Sequence, residues 1–235
     1  MKILAIDTSN YTLGIALMDH EKVIGEYITN LKKNHSVRVM PAIEFLLKEC
    51  EVSPADLTKI VVAKGPGSYT GVRIGVTIAK SLAWTLQIPL VGISSLEIVA
   101  ATVGRYFPSR VSPLFDARRG QIYTGLYRFQ NSQFTVLEKD QLVLSKDWGE
   151  KLANLSDQTL FVGSDLSIHR PVLTEILGQK AIFAEITEHN PRPSELAWLG
   201  KDLLGEDIHS FVPNYIRLVE AEAKWLEANE KKKLL

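Results

Sequence analysis

The sequence predicts an α/β protein of two lobes, each running in the order βββαβαβα. Three observations lead there. Short apolar or alternating runs are separated by turn residues and interleaved with helical periodicities along all 235 residues. The order of elements in the first half recurs after Gly104. The first strand of each half ends in an aspartate, Asp7 in IDTSNYT and Asp116 in FDARRGQ, and a second strand follows at once. Two lobes, 1–104 and 105–235, with mixed sheets and a cleft between them are therefore expected, against the competing arrangement of one continuous sheet.

Taken in order, ILAID (3–7), LGIALMD (13–19) and KVIGEYIT (22–29) read as an antiparallel meander. A helical pattern covers 36–50, in which Pro41 would produce a kink if the helix starts near Ser36. KIVVA (59–63), a helix over 71–87, PLVGIS (89–94) and a helix over 95–103 complete the half. The second half repeats this with strands at 111–117, 120–129, 134–144, 159–163 and 181–186, and helices near 146–155, 169–177 and 194–204. The tail EAEAKWLEANEKKKLL has acids early and lysines late, as the helix dipole prefers, and a last helix there is expected to pack back on the first lobe. Its lysines suit a solvated end better than a nucleic-acid contact.

Composition narrows the class. With 46% hydrophobic and 23% charged residues the chain is globular, and Lys plus Arg balances Asp plus Glu at 27 each. No net field draws it to polyanions, so nucleic acid is expected only through a partner. Cys50 is the one cysteine, which suits a reducing compartment. Asp7 interrupts the N-terminal apolar run too early for a signal segment, and no stretch has the length of a membrane span, so a cytoplasmic protein is expected.

The stretch AKGPGSYTGVRIGVTIAKSLAW (63–84) carries the sharpest question. A strand, a Gly-Pro-Gly-Ser turn and a helix start present backbone N–H groups where anions settle, which makes Asp7, Thr8, Ser9, Gly65, Gly67, Ser68 and Arg118 a candidate nucleotide set. Against this, Val72 and Arg73 follow Gly71 where a Walker loop needs Lys and Ser or Thr, and Gly65 and Gly67 serve equally as turn formers with Ser68 or Thr70 as helix cap. The helix itself is apolar over an arc of roughly 200°, about twice what a surface helix needs. Gly71, Gly75 and Ala79 form a track nearly free of side chains on which another helix can close in. Val72 and Leu82 lie on the same arc, and in the preceding helix Val37, Met40 and Phe45 add apolar surface. Together these eight residues are the expected partner interface, since such patches are unusual on soluble monomers.

The segments GPGSYTGVRIG (65–75), IDTSNYTLGIAL (6–17), HSVRVMPAI (35–43), FDARRGQIY (115–123) and PNYIR (213–217) resemble the TsaB (YeaZ) family of bacterial tRNA-modification proteins, in the right order over nearly the whole chain. The resemblance implies the actin-like fold of sugar kinases and Hsp70-type ATPases, the ASKHA or ribonuclease H-like class. It implies a role in making threonylcarbamoyladenosine at position 37 of tRNAs that read codons beginning with adenine. It further implies a subunit that leaves the chemistry to its relative TsaD, is joined by the small ATPase TsaE, and receives threonylcarbamoyl-adenylate from a separate synthase. A homodimer is expected when TsaD is absent, and ATP with magnesium only in the assembled complex.

The residues agree in one respect. The catalytic relative holds metal with a His-x-x-x-His pair, whereas His20, His35, His169, His189 and His209 contain no such spacing, so no metal or cofactor is expected of the chain alone. Neither HExxH nor GxSxG occurs. The alternatives left are a self-sufficient actin-like ATPase and a metallopeptidase-like enzyme.

Overall fold

The computed structural model describes residues 1–130 and 133–216. The first sheet is built from β1 (Lys2–Asp7), β2 (Thr12–Asp19), β3 (Lys22–Asn30), β4 (Lys59–Ala63) and β5 (Leu90–Ile93), with α1 (Val39–Glu49), α2 (Tyr69–Leu86) and α3 (Ser95–Gly104) between or after them. The second repeats the series with β6 (Arg110–Asp116), β7 (Gln121–Gln130), β8 (Gln133–Leu144), β9 (Thr159–Val162) and β10 (Ala181–Phe183), and with α4 (Ser145–Ala153), α5 (Leu166–Leu177) and α6 (Pro193–Gly200). The strand orders are β3-β2-β1-β4-β5 and β8-β7-β6-β9-β10, so the duplication extends to topology. In each sheet the first strand is central, antiparallel to the second (Ala5 opposite Ala16, Leu114 opposite Thr124) and parallel to the fourth (Ala5 opposite Val61, Val111 opposite Leu160).

A central strand covered on both faces must be apolar at every position, which is why ILAI reads as an unbroken run rather than an alternation. Leu4 and Ile6 pack with Ile15, Ile43, Leu46 and Val76 beneath α1 and α2. Ile3 and Ala5 face the other way, onto Leu196 and Ala197 of α6. The helix that follows the last strand of the second sheet thus covers the first sheet. Reciprocally, α3 carries Leu96, Val99 and Val103 onto Val111, Phe115 and Tyr127 of the second. Arg105 at the end of α3 pairs with Glu195 of α6 at 2.5 Å and ties the two exchanged helices together. After α6 the chain returns along β5: Glu206 bridges Leu90, Phe211 is buried in the first core and the Asn214 amide donates to the Lys64 carbonyl at 2.6 Å.

Four boundaries differ from expectation for physical reasons. The helix expected from residue 36 starts at Val39 after a 3-10 turn over His35–Val37. Pro41 therefore falls in the first helical turn, where a missing N–H costs no bond. The strand expected over 181–186 stops at Phe183, and α5 starts three residues early, at Leu166, with Pro171 inside it. The helix expected to reach 204 ends at Gly200, where the buried Lys59 ammonium takes the carbonyls of Gly200, Lys201 and Leu203 at 3.3, 2.5 and 2.8 Å. The tail helix lies outside the described residues, and no described helix is long and apolar enough to cross a membrane.

Candidate functional site

Between the lobes lies a cleft of about 910 Å³, lined by Asn10, Tyr11, Lys32, Lys33 and His35, by Gly67–Gly71 at the start of α2, and by Phe115–Arg118, Tyr123, Asp165 and Ile168 of the second lobe. Asp7 ends β1 beneath it. The Asp7 carboxylate is buried, its Oδ1 accepting the Ser9 amide at 2.8 Å and the Ser9 hydroxyl at 2.7 Å, while Oδ2 has no partner among the described residues. Burial pushes its pKa up, opposed by the two Ser9 bonds and by the nearby His35. His35 is held by its Nε2 against the Asn10 carbonyl at 2.7 Å.

The glycines of the GPGSYTG loop explain the rest of this wall. A Cβ on Gly67 would stand 2.1 Å from the Ser9 carbonyl oxygen, and one on Gly71 2.2 Å from that of Thr8. These positions are glycine because the loop lies directly on the β1–β2 turn. The contact is closed by the Ser68 amide donating to Ser9 O at 2.7 Å and the Thr8 hydroxyl donating to Gly71 O at 2.7 Å. Ser68 caps α2 by accepting the Gly71 amide, and the Gly65 amide donates to the Ser95 hydroxyl. Of the candidate nucleotide set, Asp7, Thr8 and Ser9 are buried under the loop and Gly65 within it, and Gly67, Ser68 and Arg118 reach the cleft.

An actin-like nucleotide site closes two hairpin loops around phosphates through free backbone amides. Here the Ser9 and Thr12 amides are used by Asp7 and Asn10 side chains, and the Ala117, Arg118 and Gln121 amides by their own turn. These five amides are spent within the turns and are not free to hold a phosphate.

In the second lobe Asp116 is only partly buried. Its Oδ1 lies 3.1 Å from Nε2 of the buried His169, and its amide donates to Asp165 Oδ2 at 3.0 Å. Burial raises the Asp165 pKa against that amide bond. The lobes also meet behind the cleft, where the Ser94 hydroxyl capping α3 and the Tyr127 hydroxyl both donate to Asp140 on β8. Glu97, in the first turn of α3, is pushed up to about 7 by burial and then by Asp140, with Lys64 opposing.

The expected partner interface divides. Gly71, Val72, Gly75 and Ala79 are buried within the chain itself, correcting the open track. The space beside Gly75 is taken by Val62 of β4 and by Thr8, whose Oγ1 lies 2.5 Å from where a Cβ would stand. Periodicity shows that a neighbour comes close but does not say whose. What stays outside is Val37 at 70% exposure, Phe45 at 56% with its ring edge-on to Tyr27, and Met40. Met40 and Leu82 border an apolar groove of about 560 Å³ between α1 and α2, with Pro41, Leu47 and Leu86. The cleft residues Tyr11, Lys32, Lys33, Tyr123 and Asp165 were not singled out in the sequence. LKKNH, a charged break between a strand and a helix, was the available signal.

A family model described as TsaD, tRNA N6-adenosine threonylcarbamoyltransferase, matches residues 22–225. The tRNA threonylcarbamoyladenosine biosynthesis protein TsaB of Bacillus subtilis is 57% identical over 230 residues, covering 98% of this chain and 100% of that one. Its Escherichia coli namesake is 31% identical over 166 residues, 70% of this chain and 71% of its own. Among solved structures, YeaZ from Pseudomonas aeruginosa superposes with a TM-score of 0.74 at 25% identity, over 91% of this chain and 99% of that one. A ROK hexokinase from Thermus thermophilus, TM-score 0.51 at 11% identity over 86% and 99%, shares the two-lobe actin-like fold.

Proposed function

The chain belongs to the TsaB family, and from that premise we propose that it is the non-catalytic scaffold subunit required for placing the threonylcarbamoyl group on adenosine 37 of tRNAs that read codons beginning with adenine. The observation that carries this reading is the 57% identity to a relative named for that biosynthesis, extending over 98% of the chain. Two features of the structure support the scaffold role in particular. The β1–β2 and β6–β7 turns spend the Ser9, Thr12, Ala117, Arg118 and Gln121 amides on themselves, and the α1–α2 layer leaves Val37, Met40, Phe45 and the groove edged by Leu82 uncovered. That layer is the face offered to a TsaD-like catalytic subunit, or to a second copy when that subunit is absent, with a TsaE-like ATPase completing the assembly. A standard interface removes about 800 Å² per partner.

Reconstitution tests it. tRNA, threonylcarbamoyl-adenylate and TsaD- and TsaE-type subunits should yield modified tRNA only when this chain is added, and product at equal rate without it refutes the proposal. On the same reading Phe45→Glu weakens pairing with the TsaD-type subunit by tenfold or more, about 1.4 kcal/mol, while the melting temperature of the lone chain stays put. Unchanged pairing removes this face from the interface.

A further inference from the structure

The mouth of the inter-lobe cleft combines two things rarely left together on a protein surface without use. The first is a set of exposed aromatic rings. Tyr11 stands out of the β1–β2 turn at 54% exposure, Tyr69 opens α2 at 49%, and Tyr215 lies against Tyr69 with ring centroids 5.4 Å apart at 42%. Arg73 closes the group, its guanidinium 5.1 Å over the Tyr69 ring and donating to the Tyr69 hydroxyl at 2.7 Å. The backbone beneath two of them is held: Asn10 fixes the turn at Tyr11 by accepting the Thr12 amide, and the Asn214 amide donates to the Lys64 carbonyl one residue before Tyr215. The second is a set of cations. Lys32, Lys33 and Arg118 line the same opening and Arg119 follows Arg118 in its turn; all four are exposed, and none has an acidic partner among the described residues. The acids of the cleft lie deeper and are engaged, Asp116 with His169 and Asp165 with the Asp116 amide. The balanced charge of the whole chain hides this separation.

We propose that this rim is an RNA contact, in which Tyr11, Tyr69 and Tyr215 stack on unpaired bases while Lys32, Lys33 and Arg118 hold the phosphates between them. Single-stranded RNA is what this pairing of surfaces recognises, because each base offers a π-face and each step a phosphate. A protein partner favours an apolar patch such as the α1–α2 groove, whereas the cleft mouth is set with cations. The inference rests on the tRNA-modification reading above and deepens it: the scaffold would itself hold part of the unpaired region of the tRNA, inside the complex.

The test measures tRNA affinity of the complete assembly, containing this chain and TsaD- and TsaE-type subunits, between about 50 and 200 mM salt. The double change Lys32→Glu and Lys33→Glu, on exposed side chains without partners, should weaken binding about tenfold or more and shrink the slope of log affinity against log salt by about 1.4, or 0.7 for each phosphate no longer held. Tyr69→Leu should cost about fivefold or more, and Tyr69→Trp should restore it. Affinity within about twofold of the parent for both the lysine and the leucine variants overturns the inference. So does a result in which the lysine variant loosens a protein subunit and leaves tRNA affinity alone. If product forms equally well with the chain omitted, the functional reading itself fails. If product needs the chain while the variants bind tRNA at full strength, only this inference does.

Discussion

In the first lobe the aspartate that ends the opening strand is roofed by the GPGSYTG loop, whereas its counterpart in the second lobe stands at the edge of the cleft. Asp7 lies under Gly67 and Gly71, which approach the carbonyls of Ser9 and Thr8 more closely than any side chain permits. In the second lobe the matching contact falls further back on the strand, where a Cβ on Gly163 would stand 2.1 Å from the Leu114 carbonyl oxygen, and the end of β6 stays open to Asp165 and His169. One strand order therefore supports two different ends. Topology places the aspartates, and the position of one close glycine contact decides whether each is covered.

The largest test of that contrast is to crowd the roof. Gly71→Ala should cost about 3 kcal/mol or more in urea unfolding, since its Cβ meets backbone that cannot rotate away. Gly120→Ala in the β6–β7 turn finds nothing closer than 3.9 Å and strains only a backbone at φ +73°. That should cost about 1 kcal/mol. Equal losses would mean that the first lobe is not closed by this contact.

A middle-sized effect probes the place where the lobes join. The folded protein holds a proton on Glu97 up to about 7, against an ordinary value of 4.5. The folded state binds more protons between those limits, so the Glu97 contribution is full below about 4.5 and is lost as the pH rises through 7. Glu97→Gln should flatten that part of the stability profile and exceed the parent at pH 8 by on the order of 2 kcal/mol. A variant as pH-dependent as the parent would place the titration elsewhere. The neighbouring Asp140, also raised by burial, keeps its own slope in the variant.

The smallest effect sharpens the comparison of the two turns. Arg118 and Arg119 hold φ at 65° and 56°, while no residue of the β1–β2 turn has positive φ. Arg119→Gly should release that strain and stabilise by about 0.5 kcal/mol net of the extra freedom of the unfolded chain. A loss of stability would show that the arginine side chain contributes more than its backbone costs.

Much of the fold was legible because period and order are local properties. The continuous apolar runs in ILAI and LGIALM and the recurrence after Gly104 each fix an element without knowledge of its neighbours. The candidate site was legible only in part. Ser68 announced itself as a cap by its place before the apolar run, and Asp7 and Asp116 by ending strands. The track Gly71, Gly75, Ala79 signalled close approach correctly and its occupant wrongly, because the same small residues admit a loop of the same chain as readily as a helix of another. Tyr11, Tyr69 and Tyr215 are scattered along most of the chain and share one rim only after folding.

The amino-acid order by itself determined two α/β units of one pattern, a strand ending in aspartate at the head of each, and more apolar helix surface than one sheet covers. Tertiary structure alone decided that α3 and α6 exchange sheets, that the glycine loop roofs Asp7, and that the uncovered apolar surface lies on α1 and its groove with α2. The reason is physical: hydrogen-bond period and burial pattern are written in neighbouring residues, but which surfaces meet depends on contacts between distant segments, and those exist only once the chain has closed on itself.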